Sequence, residues 1–322
     1  PDVVNDEKLV YLTGEAVSEG TLSDPEFGIS AEALRLKRTA KYFQWEEEVK
    51  TKTEKKLGGS EETVKTYSYE KKWVSSPIDS SKFNERASDK VNPPPAIKPQ
   101  TWTANPVNVG GFVLSSGLKN QIDHFTALPL DKAAEMPEEI GGKKVQLSNA
   151  WIYLGENPNS PEVGDIRVTH QIALPGTVSV IAKQTGEKLE SYMADAGGKI
   201  EMLETGEKSS ASMFEAAHQS NKMMTWILRA VGFGVMFAGF GLLFKPLSVL
   251  ADVVPLFGTI VGAGTGIISF LLTVVISFSV IAVAWIFYRP LIGVPLLIVA
   301  VVGLIFLVKK LMSQKKQQAI PI

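Results

Sequence analysis

Three histidines, His124, His170 and His218, are the side chains of this 322-residue sequence best suited to hold a metal or move a proton near neutral pH. They stand far apart. None falls in the HExxH or HxH spacing that sets two imidazoles on one helix face or strand end. His170 alternates with Ile166, Val168 and Ile172 and reads as a half-buried strand residue, while Asp123-His124 reads as a helix face. Cysteine is absent, which removes thiolate nucleophiles, CxxC redox pairs, disulfides and cysteine-based metal centres. Ser115-Ser116 has no GxSxG elbow around it and no local base to activate it. Gly262-Ala-Gly-Thr-Gly266 has the glycines of a phosphate loop, yet no strand leads in and no Lys-Ser/Thr pair follows. The expectation is no catalytic set, no cofactor and no metal, and hence a non-enzymatic role.

The remaining chemical patterns read as surface and core. Glu46–Glu48 followed by Lys50, Lys52, Lys55 and Lys56 alternates charge as a solvated, aggregation-resisting hairpin edge does. The stripe Tyr67, Tyr69 and Trp73, with Trp102, Trp151 and Tyr153, reads as core and not as a ligand cage.

Charge then separates the elements. The chain carries 33 basic and 34 acidic side chains, which excludes a globally basic nucleic-acid binder. From Met223 onward, however, there are seven basic residues and one acid, Asp252. Residues 1–222 therefore carry a net of −7 and the last hundred residues a net of +6. The molecule has two unlike parts.

A helix needs about 20 mostly apolar residues to cross a hydrocarbon core of roughly 30 Å. Residues 223–244 meet this, with Arg229 close enough to the start to reach back to the headgroups. The next apolar run, Pro255–Tyr288, is too long for one ordinary crossing. A crossing at 265–288 is expected, with 247–264 as an interfacial or re-entrant approach segment. Residues 291–308 supply a third crossing after Arg289-Pro290, and 309–322 form a basic tail. Lys309, Lys310, Lys315 and Lys316 point to a cytoplasmic C-terminus, which places residues 1–222 on the opposite, extracytoplasmic side. Aromatic and basic anchors are expected near the interfaces: Trp226 and Arg229 at one, Trp285, Tyr288 and Arg289 at the other. Small residues recur every four positions, Ala230, Gly234 and Ala238 in the first crossing and Gly258, Gly262 and Gly266 in the approach segment. Such faces let helices pack closely in lipid, either within one bundle or between copies.

Residues 1–222 read as mostly β with some helix. Leu9–Leu12 starts a strand. Ala33–Val49 forms a long one, with a bulge expected where Leu34 and Leu36 give way to Phe43 and Trp45. Val64–Val74 pairs back on it through a turn near Leu57-Gly-Gly-Ser60. Two more strands lie at Ile166–Ile172 and Thr177–Lys183, and helices at Gly117–Thr126 and Ser212–Lys222, the latter leading into the first crossing. The proline-rich stretch 92–106 leaves open one β-rich unit or two related halves. The fold class expected is an α+β membrane protein, a β-rich extracytoplasmic domain followed by a helical bundle.

Several strings give the chain a family likeness. They are Leu22-Ser-Asp-Pro-Glu-Phe-Gly28, Tyr42-Phe-Gln-Trp45, Tyr67-Ser-Tyr69, Trp73 and Phe112-Val-Leu-Ser-Ser-Gly-Leu118. They continue with Glu156-Asn-Pro-Asn-Ser-Pro-Glu-Val-Gly-Asp-Ile-Arg-Val168, Val180-Ile-Ala-Lys183, Thr225-Trp-Ile-Leu-Arg-Ala230 and Phe287-Tyr-Arg-Pro-Leu291. On these the sequence resembles the LUMA family, transmembrane protein 43 and its relatives. The resemblance implies four transmembrane helices, one before the large domain and three after it, of which this chain, beginning at Pro1, holds the last three. It also implies a residence in the endoplasmic reticulum and inner nuclear membrane of animal cells, with lamin and emerin as partners, or in the cell membrane of bacteria. No catalytic residues come with it. The expected function is a membrane scaffold that organises complexes through its large domain and homo-oligomerises. The alternatives are a lipid-binding membrane organiser and a channel or channel-accessory subunit.

Overall fold

The computed structural model describes residues 1–55, 61–84, 87–130, 136–148, 151–195, 197–251 and 255–288, and beyond these 291, 294–295, 298–299, 301–303, 305 and 309. Contacts divide the chain into two units, Pro1–Lys50 with Thr66–Ala217, and Thr51–Lys65 with His218–Ile322.

Two large sheets and two small two-stranded ones lie among the described residues. In one large sheet, the strand Leu9–Val17 pairs antiparallel with Gly176–Thr185 along eight residues, from Leu9 opposite Lys183 to Ala16 opposite Gly176. The same two strands are joined the other way round through Asn108–Val109, Phe112–Leu114 and Lys188–Glu190. The pairings thus close into a circuit, although Asn108–Val109 covers Leu9–Val17 only at Ala16 and Val17. Met202–Thr205 adds to the outside of Gly176–Thr185. Ala16, Val109, Leu114, Val178, Val180, Ala182 and Leu189 fill this sheet's core.

The second sheet is built on Ile166–Ala173 and the 21-residue strand Arg35–Lys55. Ile166 lies opposite Tyr42 and Ala173 opposite Arg35 with no break in register. Ile152–Leu154, Lys143–Leu147 and Glu139–Ile140 extend one side, and Glu61–Val74 the other. Strands from both sides of residues 92–106 enter both sheets, so the chain builds one interleaved β unit and not two successive halves.

The expected bulge is absent. Burial alternates evenly through Leu34, Leu36, Arg38, Ala40, Tyr42 and Gln44. The inward face carries two polar residues, and their polarity disguised the alternation; Phe43 and Trp45 belong to the other face. The helix expected over Gly117–Thr126 is one short turn, α1, Ser116–Asn120, because the chain leaves it to pair Thr126–Ala127 with Gln171 and Ile172.

The helix α2 runs unbroken from Ser210 to Ala251, its residues from His218 onward in the second unit, and α3 of that unit runs from Pro255 to Tyr288. Proline suits the first position of α3, where its missing N–H costs nothing. Two stretches, Ser210–Pro246 and Gly264–Trp285, are long and apolar enough to cross a bilayer. On α2, Trp226, Leu228, Val231, Val235, Leu242 and Leu243 are all exposed, as lipid-facing residues are. Phe270 of α3 meets Phe233 and Phe237 of α2 at 5.9 and 6.4 Å between ring centroids, edge to face. The hydroxyls of Ser269, Thr273 and Ser279 donate to carbonyls four residues back, the local bond that lets a polar group sit at membrane depth. The expected approach segment 247–264 is helical at 247–251 and again from Pro255. Asp252, Arg289, much of the expected third crossing 291–308 and the tail beyond Lys309 lie outside the described residues.

Candidate functional site

His170 is fully inside the protein, not half-buried, and it has charged company. Asp24, at the end of the short strand Leu22–Asp24, accepts hydrogen bonds from Arg38 Nη1 at 2.8 and 2.9 Å and from His170 Nε2 at 2.8 Å. The three are 0, 3 and 3% exposed. Arg38 Nε also donates to the Lys98 carbonyl, and its guanidinium lies 5.3 Å from the Phe27 ring and 5.4 Å from that of Trp102. Because a carboxylate only accepts, His170 Nε2 donates its bond to Asp24; among the described residues His170 Nδ1 has no partner. An acid, a base and a cation in contact have the makings of a catalytic group, but all three are buried, and the exposed carboxylate of Glu26 closes on Arg38 from outside. Their bonds go to separate segments, so the cluster ties the Leu22–Asp24 turn and the Lys98 loop to the central strands.

A second polar centre surrounds Asp165. Its carboxylate accepts from Tyr153 Oη, from the Glu162 N–H at 2.8 Å and from Lys143 Nζ at 3.3 Å. Burial first, and then the bond to Asp165, push the Tyr153 hydroxyl far above its ordinary pKa, so it stays protonated. A Cβ at Gly155 would stand 2.5 Å from the Asp165 carboxyl carbon, which leaves room for glycine alone. Beside this, Arg167 is sandwiched between Trp73 at 4.2 Å and Trp151 at 4.7 Å. Its Nε is buried without a hydrogen-bond partner, so the ring faces are its main compensation. Tyr67, Tyr69 and Trp73 are half-buried and not core as expected; Trp73, with Trp151, instead clamps the half-buried Arg167 cation.

Glu201, its side chain 7% exposed, forms a third cluster with Lys199 Nζ at 2.8 Å and Ser115 Oγ. Burial acts to raise its carboxyl pKa. The bonds from Lys199, Ser115 and the Leu118 N–H outweigh it and hold the group below the ordinary range. Ser115 is therefore the cap of α1 and a partner of Glu201, roles that occupy its hydroxyl. Among the described residues, no group of three or more His, Asp or Glu side chains is placed to hold a metal ion.

In the helices, the structure brings three of the expected anchors together. The Arg229 guanidinium lies 5.0 Å from the Trp226 ring and 5.2 Å from the Trp285 ring. Trp226 and Trp285 thus share one level, not opposite interfaces, because α3 runs back along α2: moving from Arg229 to Phe237 on one helix matches Trp285 to Phe270 on the other. Tyr288 is the last residue of α3. A cavity of about 270 Å³ opens beside the cluster, lined by Arg229, Ala230, Phe233, Ser277, Phe278 and Ile281. Ala230, Gly234 and Ala238 are exposed, and a Cβ at Gly234 would meet nothing within 4 Å. Gly266 is half-buried with the same free space, and Gly258 and Gly262 lie within α3.

Sequence reasoning singled out Trp226, Arg229 and Trp285 but set them at opposite interfaces, and it missed Asp24, Arg38 and Asp165. The available signal was Arg38 at an inward position of the Leu34–Tyr42 alternation, where a buried cation requires a buried acid.

A family model described as Transmembrane protein 43 matches residues 42–290. The Transmembrane protein 43 of Pongo abelii is 33% identical over 299 residues, covering 89% of this chain and 73% of that protein. That of Homo sapiens is 32% identical over 297 residues, with the same coverage, and a Drosophila melanogaster Transmembrane protein 43 homolog is 29% identical over 300 residues, 90% of this chain and 77% of that protein. No solved structure matches. These relatives carry the name of a membrane protein and not of an enzyme, in keeping with two helices able to span a bilayer. The chain belongs to the transmembrane protein 43 family.

Proposed function

We propose that this protein is a non-enzymatic, multi-pass membrane scaffold whose copies associate through their helices while the β-rich domain recruits other membrane or envelope proteins. The observation that carries this reading is the division of labour on α2. Contact with α3 runs through Arg229, Phe233, Met236 and Phe237, and Ala230 lines the groove beside it, leaving Gly234 and Ala238 of the small face exposed. Lipid tails are as apolar as helix side chains, so close backbone approach is what drives helix association there, and a small-xxx-small face permits it. The buried ionisable groups Asp24, Arg38, His170 and Asp165 are held in internal bonds.

In this reading 291–308 is a third crossing, the lysine-rich tail is cytoplasmic and the β-rich domain lies on the other side of the membrane. Native mass spectrometry of protein released from nanodiscs across several concentrations is expected to give a homo-oligomer, and Gly234→Leu with Ala238→Leu to shift it to monomer. A concentration-independent monomer mass for the unsubstituted chain would overturn self-association. Because the chain has no cysteine, single cysteines at Asp195 and Lys315 test topology cleanly. An impermeant maleimide applied to sealed membranes should reach one and not the other.

A further inference from the structure

Arg229 is a cation inside a membrane-spanning stretch, about 9 Å along α2 from Met223 at 1.5 Å per residue. Among the described residues no carboxylate pairs with it; its neighbours are the two indole rings. Stacking satisfies the faces of a guanidinium but not its five N–H donors, which lie in the ring plane. Next to it the cavity between α2 and α3 leads from this charged end past Ala230 and Ile281 to Phe233, Phe278 and Ser277. Those residues lie farther from the Trp285 level on both helices, so the groove grows apolar toward the bilayer interior. The Ser277 hydroxyl there has a weak acceptor, the Met236 sulfur at 3.7 Å.

A charged mouth framed by indoles and an apolar continuation has the polarity of a phospholipid turned the same way. We infer that Arg229, held between Trp226 and Trp285, binds the phosphate of one phospholipid in the leaflet at the Met223 end of α2, with an acyl chain lying in the groove against Phe233 and Phe278. A generic annular contact would need no unpaired arginine and no groove. Trp226 and Trp285 act as positioning residues, fixing the guanidinium plane so that its edge faces the headgroup layer. An anionic phospholipid is favoured over a zwitterionic one, whose choline cation offsets part of the attraction.

The test is native mass spectrometry of the full chain in a neutral detergent, titrated separately with dioleoylphosphatidylglycerol, dioleoylphosphatidylcholine and inorganic phosphate. The unsubstituted protein should retain one phosphatidylglycerol about tenfold better than phosphatidylcholine, the size of one charge-assisted contact, and should retain no inorganic phosphate. Arg229→Gln should abolish the preference and Arg229→Lys should keep part of it. Ala230→Phe, which fills the groove, should weaken both lipids, and Lys245→Gln should change nothing. Equal retention of the two lipids by the unsubstituted chain would overturn the site without any variant. So would a preference that survives Arg229→Gln, or one that Lys245→Gln lowers equally, since net charge would then explain it.

Discussion

His170 and Arg38 stand directly opposite one another across two paired strands, and both donate to the single carboxylate of Asp24. Without that acid the buried guanidinium would lose its buried counter-charge and the His170 N–H its acceptor. The pair of donors is therefore a demand placed on a third segment, the Leu22–Asp24 strand, to fold back and supply the charge.

Removing the acid should cost more than any apolar truncation nearby. Asp24→Ala leaves the Arg38 guanidinium buried with Glu26 as its remaining carboxylate partner, and a loss of about 3–5 kcal/mol of folding stability is expected. Replacing both partners, Asp24→Leu with Arg38→Met, should recover part of it, the buried His170 Nε2–H still lacking its acceptor. Denaturant unfolding of the full chain in detergent, followed by tryptophan fluorescence, measures both. A double variant as unstable as the single one would contradict the account.

Glu201 predicts a specific response to acid. Its pKa is held below that of the unfolded chain, so its bonds stabilise the fold above the ordinary glutamate value of about 4.3. That contribution fades as pH falls through the lowered folded value. The gap in melting temperature between the unsubstituted protein and Glu201→Gln should be constant near neutrality and close in acid, below about pH 4. A gap that persists unchanged at low pH would mean the carboxylate is not what stabilises the Ser115–Lys199 contacts.

Arg167→Lys keeps the charge and discards the plane. Trp73 and Trp151 then lose the flat partner between them, and a cost of about 1–2 kcal/mol is expected from the weaker stacking. The tryptophan emission should change even where the protein remains folded, because both indoles gain room. Emission and stability matching the unsubstituted protein would show that the sandwich contributes nothing beyond charge.

The membrane part was the most readable from sequence, because a bilayer imposes a length and a charge rule on any helix that enters it. Residues 223–244 and 265–288 announce themselves that way. The continuity of α2 was less visible: Lys222 and Lys245-Pro246 look like ends, yet hydrogen bonding carries the helix from Ser210 through Pro246 to Ala251. In the β-rich part, alternation revealed Ile166–Ile172 and the long hairpin wherever the inward residues were apolar. It failed at Arg38 and Gln44, whose burial depends on partners distant in sequence, such as Asp24 and the Ile78 N–H. The strings behind the family resemblance include Asp24, Asp165 and Arg167, but only the fold reveals that they serve the interior. The meeting of Arg229 with Trp285 likewise required the antiparallel return of α3.

The strand Arg35–Lys55 outruns its sheet. Ile166–Ala173 supports it from Arg35 to Tyr42 and Gln100–Thr103 from Arg35 to Arg38. From Glu48 onward its described side chains are exposed. A two-stranded ribbon has little stability of its own in water. Hydrogen–deuterium exchange should therefore separate one continuous strand into two time regimes. Amides near Leu36 should exchange only when the whole domain opens, while those near Lys52 exchange through local fraying of the ribbon.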